Sequence, residues 1–182
     1  MRIRSFLLAL ALLALAPAAA AQMTIPQRGT DEPRQSPNAV VGQTIGTTDV
    51  LLTYGRPSVR GRVIFGDLVP YGEVWRTGAN EATSFSVSKD VTIEGQPLPA
   101  GTYALVTIPT EERWTIVFNR AADQWGAFEY DESQDALRVE VVPEAGPATE
   151  MMTFVFENVT DTSGDLVLYW DEVRVPVTIG AE

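Results

Sequence analysis

The chain has 182 residues, 45% of them apolar, with 13 basic and 24 acidic side chains and a net charge of -11. It contains no cysteine and no histidine. That composition excludes disulfides, a thiolate nucleophile, a Cys- or His-based metal centre and any Ser-His-Asp triad, and its acidic balance argues against nucleic acid or an anionic membrane surface as partner.

Arg2 and Arg4 precede an apolar run from Phe6 to Ala16, and Ala19-Ala20-Ala21 offers a small-residue cleavage site. This is the pattern of a secretory signal peptide, residues 1–21, with Gln22 as the mature start. The run is too short to cross about 30 Å of hydrocarbon, so no membrane insertion is expected after cleavage. The mature protein is expected to be exported, to the periplasm or out of the cell. Cleavage leaves 11 basic against 24 acidic residues, a net charge of -13, with Lys89 the single lysine. Such an acidic surface suits the solubility of an exported protein. Residues 22–37, rich in Pro, Gln, Arg, Asp and Ser, read as a flexible leader. Residues 38–182 are enough for one domain with one core.

From Ala39 onward, short runs alternate apolar and polar positions. Val50, Leu52 and Tyr54 share a face, as do Phe85 and Val87, then Trp114, Ile116 and Phe118. Leu137, Val139 and Val141 follow, then Met152, Phe154 and Phe156. Leu166, Leu168 and Trp170 form one set, and Val173, Val175, Val177 and Ile179 another. Period-two alternation is what half-buried antiparallel strands require. Turn residues separate the runs at Glu94-Gly95, Pro99 to Gly101, Asn119 to Asp123, Pro143 to Pro147, Asp161 to Gly164 and Asp171-Glu172. Short helical turns fit Leu68 to Val74 and Arg120 to Trp125, but no segment keeps a helical period for three turns. Pro176 lacks an amide donor, which predicts an edge position for the last strand. The expected fold is an all-β antiparallel sandwich of about ten short strands, with a closed β-barrel as the alternative.

The strings YGRPSVRGRVIFG (54–66), LVPYGEVWRTGANEAT (68–83), LPAGTYALVTIP (98–109), WTIVFN (114–119) and QWGAFEY (124–130) carry a family resemblance. From about Ser36 to Ile179 the chain resembles the bacterial exported family called domain of unknown function 2911. The resemblance implies export and a single all-β domain, and supplies no activity.

Candidate chemistry therefore rests on the residues. The stretch 54–83 holds Arg56, Arg60, Arg62 and Arg76 against Asp67, Glu73 and Glu81, a slightly basic window in an acidic chain. Arg76, Asn80 and Glu81 beside Trp75 combine a bidentate donor fork, a donor–acceptor amide, a carboxylate and a stacking face, enough to grip a sugar or a carboxylated ligand. Equally, Arg76 and Glu81 can form an internal ion pair that pins the loop to the sheets. Arg56, Arg60 and Arg62, interrupted by Pro57 and Gly61, form either an anion site or ion pairs with neighbouring acids. Trp114 and Trp170 fall on the apolar phase of strands and belong to the core. Trp75 and Trp125, the latter near Phe128 and Tyr130, lie outside clean strands and either make a binding platform or plug the end of the sandwich.

Asp67, Glu73 and Glu81 are the acids open to carboxylate catalysis, which needs a proximal pair. Asp131 to Asp135 resembles the opening of a calcium loop but lacks its glycine and closing glutamate. No metal or other cofactor is expected. The leading expectation is a non-catalytic binding module for a small molecule, glycan or envelope protein, through a face built by the 56–83 and 124–130 loops. A carboxylate-dependent hydrolase using Glu81 or Glu73 with Arg76 as clamp, and a purely structural envelope protein, are the alternatives.

Overall fold

The computed structural model describes residues 32–181. The signal peptide expected at 1–21, and the expected leader as far as residue 31, lie outside the described residues. Ten strands follow in chain order: β1 (Asn38–Ile45), β2 (Thr48–Gly55), β3 (Thr83–Val87), β4 (Val91–Ile93), β5 (Gln96–Leu98), β6 (Gly101–Pro109), β7 (Trp114–Asn119), β8 (Asp135–Val141), β9 (Glu144–Glu157) and β10 (Ser163–Ala181). They form two antiparallel sheets, a six-stranded one in the order β1-β2-β3-β6-β7-β8 and a four-stranded one in the order β5-β4-β10-β9. The sheets do not close on each other, so the sandwich holds and the barrel alternative does not.

The core lies between the sheets and is built by the alternation already visible in the chain. Val50, Leu52 and Tyr54 of β2, Phe85 of β3, Tyr103 and Leu105 of β6, and Trp114, Ile116 and Phe118 of β7 face inward from the larger sheet. Met152 and Phe154 of β9 and Leu166, Leu168 and Trp170 of β10 meet them from the smaller one. The Tyr54 ring stands edge-on to Phe154, centroids 5.0 Å apart, and its hydroxyl accepts from the Phe154 amide at 3.0 Å, joining the layers. The intervening residues Ala104, Val106 and Val117 face the other way and form a small second cluster with Ala82, against which Val74 and Tyr130 pack.

Four local expectations are corrected. The two alternating sets 166–170 and 173–179 are not separate strands with a turn at Asp171-Glu172. They are one strand, β10, whose register against β9 shifts on both sides of Asp171, where φ is 55°. A bulge adds a residue without ending the pairing, so Leu168 and Trp170 before it and Val175 and Val177 after it all reach the core. β10 is also internal to its sheet rather than an edge. Pro176 is tolerated because pairing with β9 ends at Arg174 and pairing with β4 begins at Ile179, so no ladder needs its missing amide. Finally, Leu68 to Val74 and Arg120 to Trp125 form turns and bridges rather than helix, and the 3-10 turn falls instead at Glu132–Gln134, capped by Asp131. Likewise the turn read across Pro143 to Pro147 is short, because β9 already begins at Glu144.

Trp114 is 2% exposed and lies among the largest side chains of the core. Trp114→Ala is expected to lower stability by about 3–5 kcal/mol, read as a drop in the urea midpoint with an unchanged denaturant slope.

Candidate functional site

The long connection between β2 and β3, residues 56–82, reaches both sheets. Its first part pairs with β9: the Val59 amide donates to the Glu150 carbonyl, and the Met152 amide to the Pro57 carbonyl. Its later part continues along β6, where Trp75 and Thr107 exchange both backbone hydrogen bonds at 2.8 Å. The insert thus occupies the end of the sandwich. Phe65 and Trp75 enter the core there, Trp75 stacked on Trp170 at 5.7 Å and edge-on to Trp114. Trp75 is therefore a plug, at 8% exposure.

Close backbone approach makes this docking possible. A Cβ on Gly55 would sit 2.2 Å from the Ala79 carbonyl oxygen, and one on Gly78 3.0 Å from the Gly55 carbonyl oxygen. Between them, Thr77 adopts φ 53°, unusual for a β-branched residue. Its hydroxyl bonds to the Trp75 carbonyl and to Thr107 Oγ1, and its own carbonyl accepts from Thr83 Oγ1 at 2.6 Å. Such strain persists only where surrounding contacts over-determine it. Arg76 lies immediately before this fixed turn.

A cavity of about 200 Å³ opens beside the turn. Arg60, Arg62 and Arg76 line it, together with Trp75 and Trp170, and Gln35 and Ser36 form part of its wall. No Asp or Glu is among its described lining residues. Arg62 donates to the carbonyls of Val59 and Ser58, and Arg60 to the side-chain and backbone oxygens of Gln35. These partners are neutral, and neither of these exposed guanidiniums has an ion-pair partner among the described residues. Glu150 bonds the Arg60 amide rather than its guanidinium. Arg76 Nε is buried and has no hydrogen-bond partner among the described residues, and neither has the buried Trp170 Nε1. Burial pushes the Arg76 pKa below the usual arginine value, yet a guanidinium stays charged at any physiological pH.

The other predicted site residues lie elsewhere. Arg56 is half-buried and tied to β9, its Nε donating to the Met152 carbonyl at 2.8 Å and its Nη2 to Thr153 Oγ1. Glu81 does not pair with Arg76: it accepts from Arg34 at 2.7 Å. The Arg34 guanidinium also lies 6.0 Å from the Trp125 ring centre, and Trp125 forms a bridge with Glu81. Asn80, at φ 65°, donates from its side chain to the Ser36 carbonyl. Trp125 and Phe128 are 59% and 86% exposed and do not line the cavity. Asp67 and Glu73 are exposed on the insert.

Tyr130 belongs to a third group. Its hydroxyl donates to Asp135 Oδ2 at 2.7 Å and accepts from Arg138, while Asn119 donates to Asp135 Oδ1. Of the three acids of the calcium-like string, Asp131 thus serves as a cap, Asp135 as an anchor and Glu132 as a partner of Arg138, and no acid cluster among the described residues is arranged to hold a metal ion.

Sequence reasoning missed the segment 34–37. Arg34 clips to Glu81, Gln35 takes Arg60, and the carbonyls of Ser36 and Pro37 accept from Asn80 and the Arg56 amide. Those last residues before β1 are a strap across the insert. No apolar period marks them; their own polar groups do the holding.

These features define an open antiparallel β-sandwich whose end is closed by a docked insert bearing a cavity lined with arginine. The chain matches the model of a protein family of unknown function, DUF2911, over residues 36–179, and it belongs to that family. No curated protein and no solved structure shows significant similarity to it.

Two outcomes follow. In Glu81→Gln, the strap should exchange its amide hydrogens and admit protease faster at residues 32–37, with little change in the global melting midpoint. Burial, then donation to Asp135, push Tyr130 up to about 12, above the unfolded phenol value near 10. The native state therefore holds that proton more tightly. Its contribution to stability is complete below about pH 10 and is lost as pH rises towards 12. Tyr130→Phe should flatten that alkaline decline and remove one late-titrating phenol from an ultraviolet titration.

Proposed function

We propose that this domain, exported as its signal-peptide pattern suggests, is a non-catalytic binding module whose ligand is a small anion held in the cavity beside Arg76. The observation that carries the reading is the Arg76 guanidinium. Its Nε is buried with no partner among the described residues, and Arg76 lines a cavity that also holds Arg60 and Arg62 and has no carboxylate among its described lining residues. A buried polar group without a partner is costly, and a charged one more so. An oxyanion would offset that cost with charge-assisted hydrogen bonds, which are the strong ones. At about 200 Å³ the cavity is smaller than the roughly 300–1,000 Å³ usual for drug-sized ligands. That favours a compact anion over a glycan or a protein segment. Nothing in the placement of Asp67, Glu73 or Glu81 favours the hydrolase reading.

Melting of the intact mature protein in inorganic phosphate, sulfate and citrate tests this. At least one should raise the midpoint with concentration, approaching about 2.7 kcal/mol at one hundred times its Kd. Arg76→Met removes an uncompensated charge, so without anion it should melt at or above wild type and lose the response. A lower midpoint in the variant, with no response from wild type, would make Arg76 a scaffold residue instead.

A further inference from the structure

The balance of charge around the cavity says more about what enters it. Three arginines, Arg60, Arg62 and Arg76, line it, and no acid does among the described residues. Arg60 and Arg62 are fixed by neutral oxygens of Gln35, Val59 and Ser58. Those oxygens orient the two charges without cancelling them. The Ser36 and Gly78 carbonyls are likewise occupied, by the Asn80 side chain and by Trp75 Nε1. Among the buried side-chain atoms of the described lining residues, the two without a partner, Arg76 Nε and Trp170 Nε1, are both donors. A cationic group on a ligand would thus meet three arginines and no carboxylate among the described lining residues, whereas acceptor oxygens would meet guanidinium donors.

Building on the anion-binding reading above, we infer that the ligand is a multiply charged oxyanion bearing no cationic group: a dicarboxylate or phosphate monoester, but not an amino acid, an amino sugar or another zwitterion. Two charges or more suit a site with three cations. The missing ammonium is the specificity rule. Arg76 is half-buried and Arg60 and Arg62 are exposed at the rim, so the repulsion is strongest beside Arg76, and discrimination of this kind rests on the repulsive element as much as on the attractive one.

Two matched pairs isolate that rule, since each adds one ammonium to an otherwise similar anion: glutarate against L-glutamate, and ethyl phosphate against phosphoethanolamine. Calorimetric titration of the intact mature protein should show binding of the ammonium-free member of at least one pair. Its ammonium-bearing counterpart should bind at least about tenfold more weakly, a difference of roughly 1.4 kcal/mol. Arg76→Gln should abolish the binding of the ammonium-free member. Equal affinity within a binding pair, or preference for the zwitterion, overturns the specificity rule while leaving the anion site intact. Should all four compounds, together with phosphate, sulfate and citrate, fail to bind, the anion-binding reading itself falls.

Discussion

The arrangement of this molecule depends on a single docking event, the laying of residues 56–82 across the end of the sandwich. A β2–β3 connection of that length would ordinarily be a mobile excursion. Here its backbone is paired at both ends, to β9 through Pro57 and Val59 and to β6 through Trp75. It therefore belongs to both sheets at once. Phe65 and Trp75 supply the apolar surface that makes the docking favourable, in an aromatic cluster with Trp114 and Trp170. Close contact through Gly55 and Gly78, and the hydrogen bonds around Thr77, then fix the turn that carries Arg76. A residue such as Thr77 in the left-handed region costs on the order of 1–3 kcal/mol. Its survival shows how firmly the surrounding contacts define this turn.

The fold class was legible because alternation is enforced by burial on one sheet face, and the inward residues are the ones the period selects. The Asp171 bulge was misread as a turn for a physical reason. A one-residue slip reverses the phase of the pattern, and a phase reversal looks the same in the chain whether the strand ends or bulges. Arg76 and Glu81 looked like an ion pair because they are near in sequence and opposite in charge. The left-handed turns at Thr77 and Asn80 separate them, and Glu81 is engaged by Arg34 from a segment with no pattern of its own. Grouping Trp75 with Trp125 failed similarly, since neither lies on a clean strand yet one is core and the other exposed. What periodicity cannot encode is tertiary pairing among irregular segments, and the candidate site is built almost wholly of those.

Two physical kinds of arginine stand side by side among the described residues, and the contrast is internal to the molecule. Arg138 is held by Asp135 and Glu132, and Arg174 by Glu157 and Glu144. The hydrogen bond to Asp135 raises the first guanidinium pKa, and that to Glu157 the second. Arg174 stitches β10 to β9, and Arg138 ties β8 to the turn before it, both with carboxylate partners. Arg76 shifts the opposite way, because burial acts on it unopposed. In a chain with 24 acids and 13 bases, a cation without an anion does not reflect scarcity of partners. The fold keeps its acids out of this cavity, as Glu150 illustrates by bonding the Arg60 amide and leaving its side chain to Gln35.

The surrounding acidity does not defeat such a site. Charges separated by more than about 8 Å of physiological saline are largely screened, whereas those at contact in a partly buried cavity are not. The net charge would thus act mainly on the approach of the proposed anion, and the arginines of the cavity on its residence. Holding Arg60 and Arg62 with carbonyl oxygens matters for the same reason. A flexible arginine must lose side-chain entropy on meeting a ligand, at roughly 0.5–1.5 kcal/mol for each immobilised side chain. Arg60 and Arg62 already hold hydrogen bonds in this structure, so part of that ordering precedes the ligand. Neutral restraint of this kind fixes position without lowering charge, a combination that an ion pair, by its nature, cannot provide.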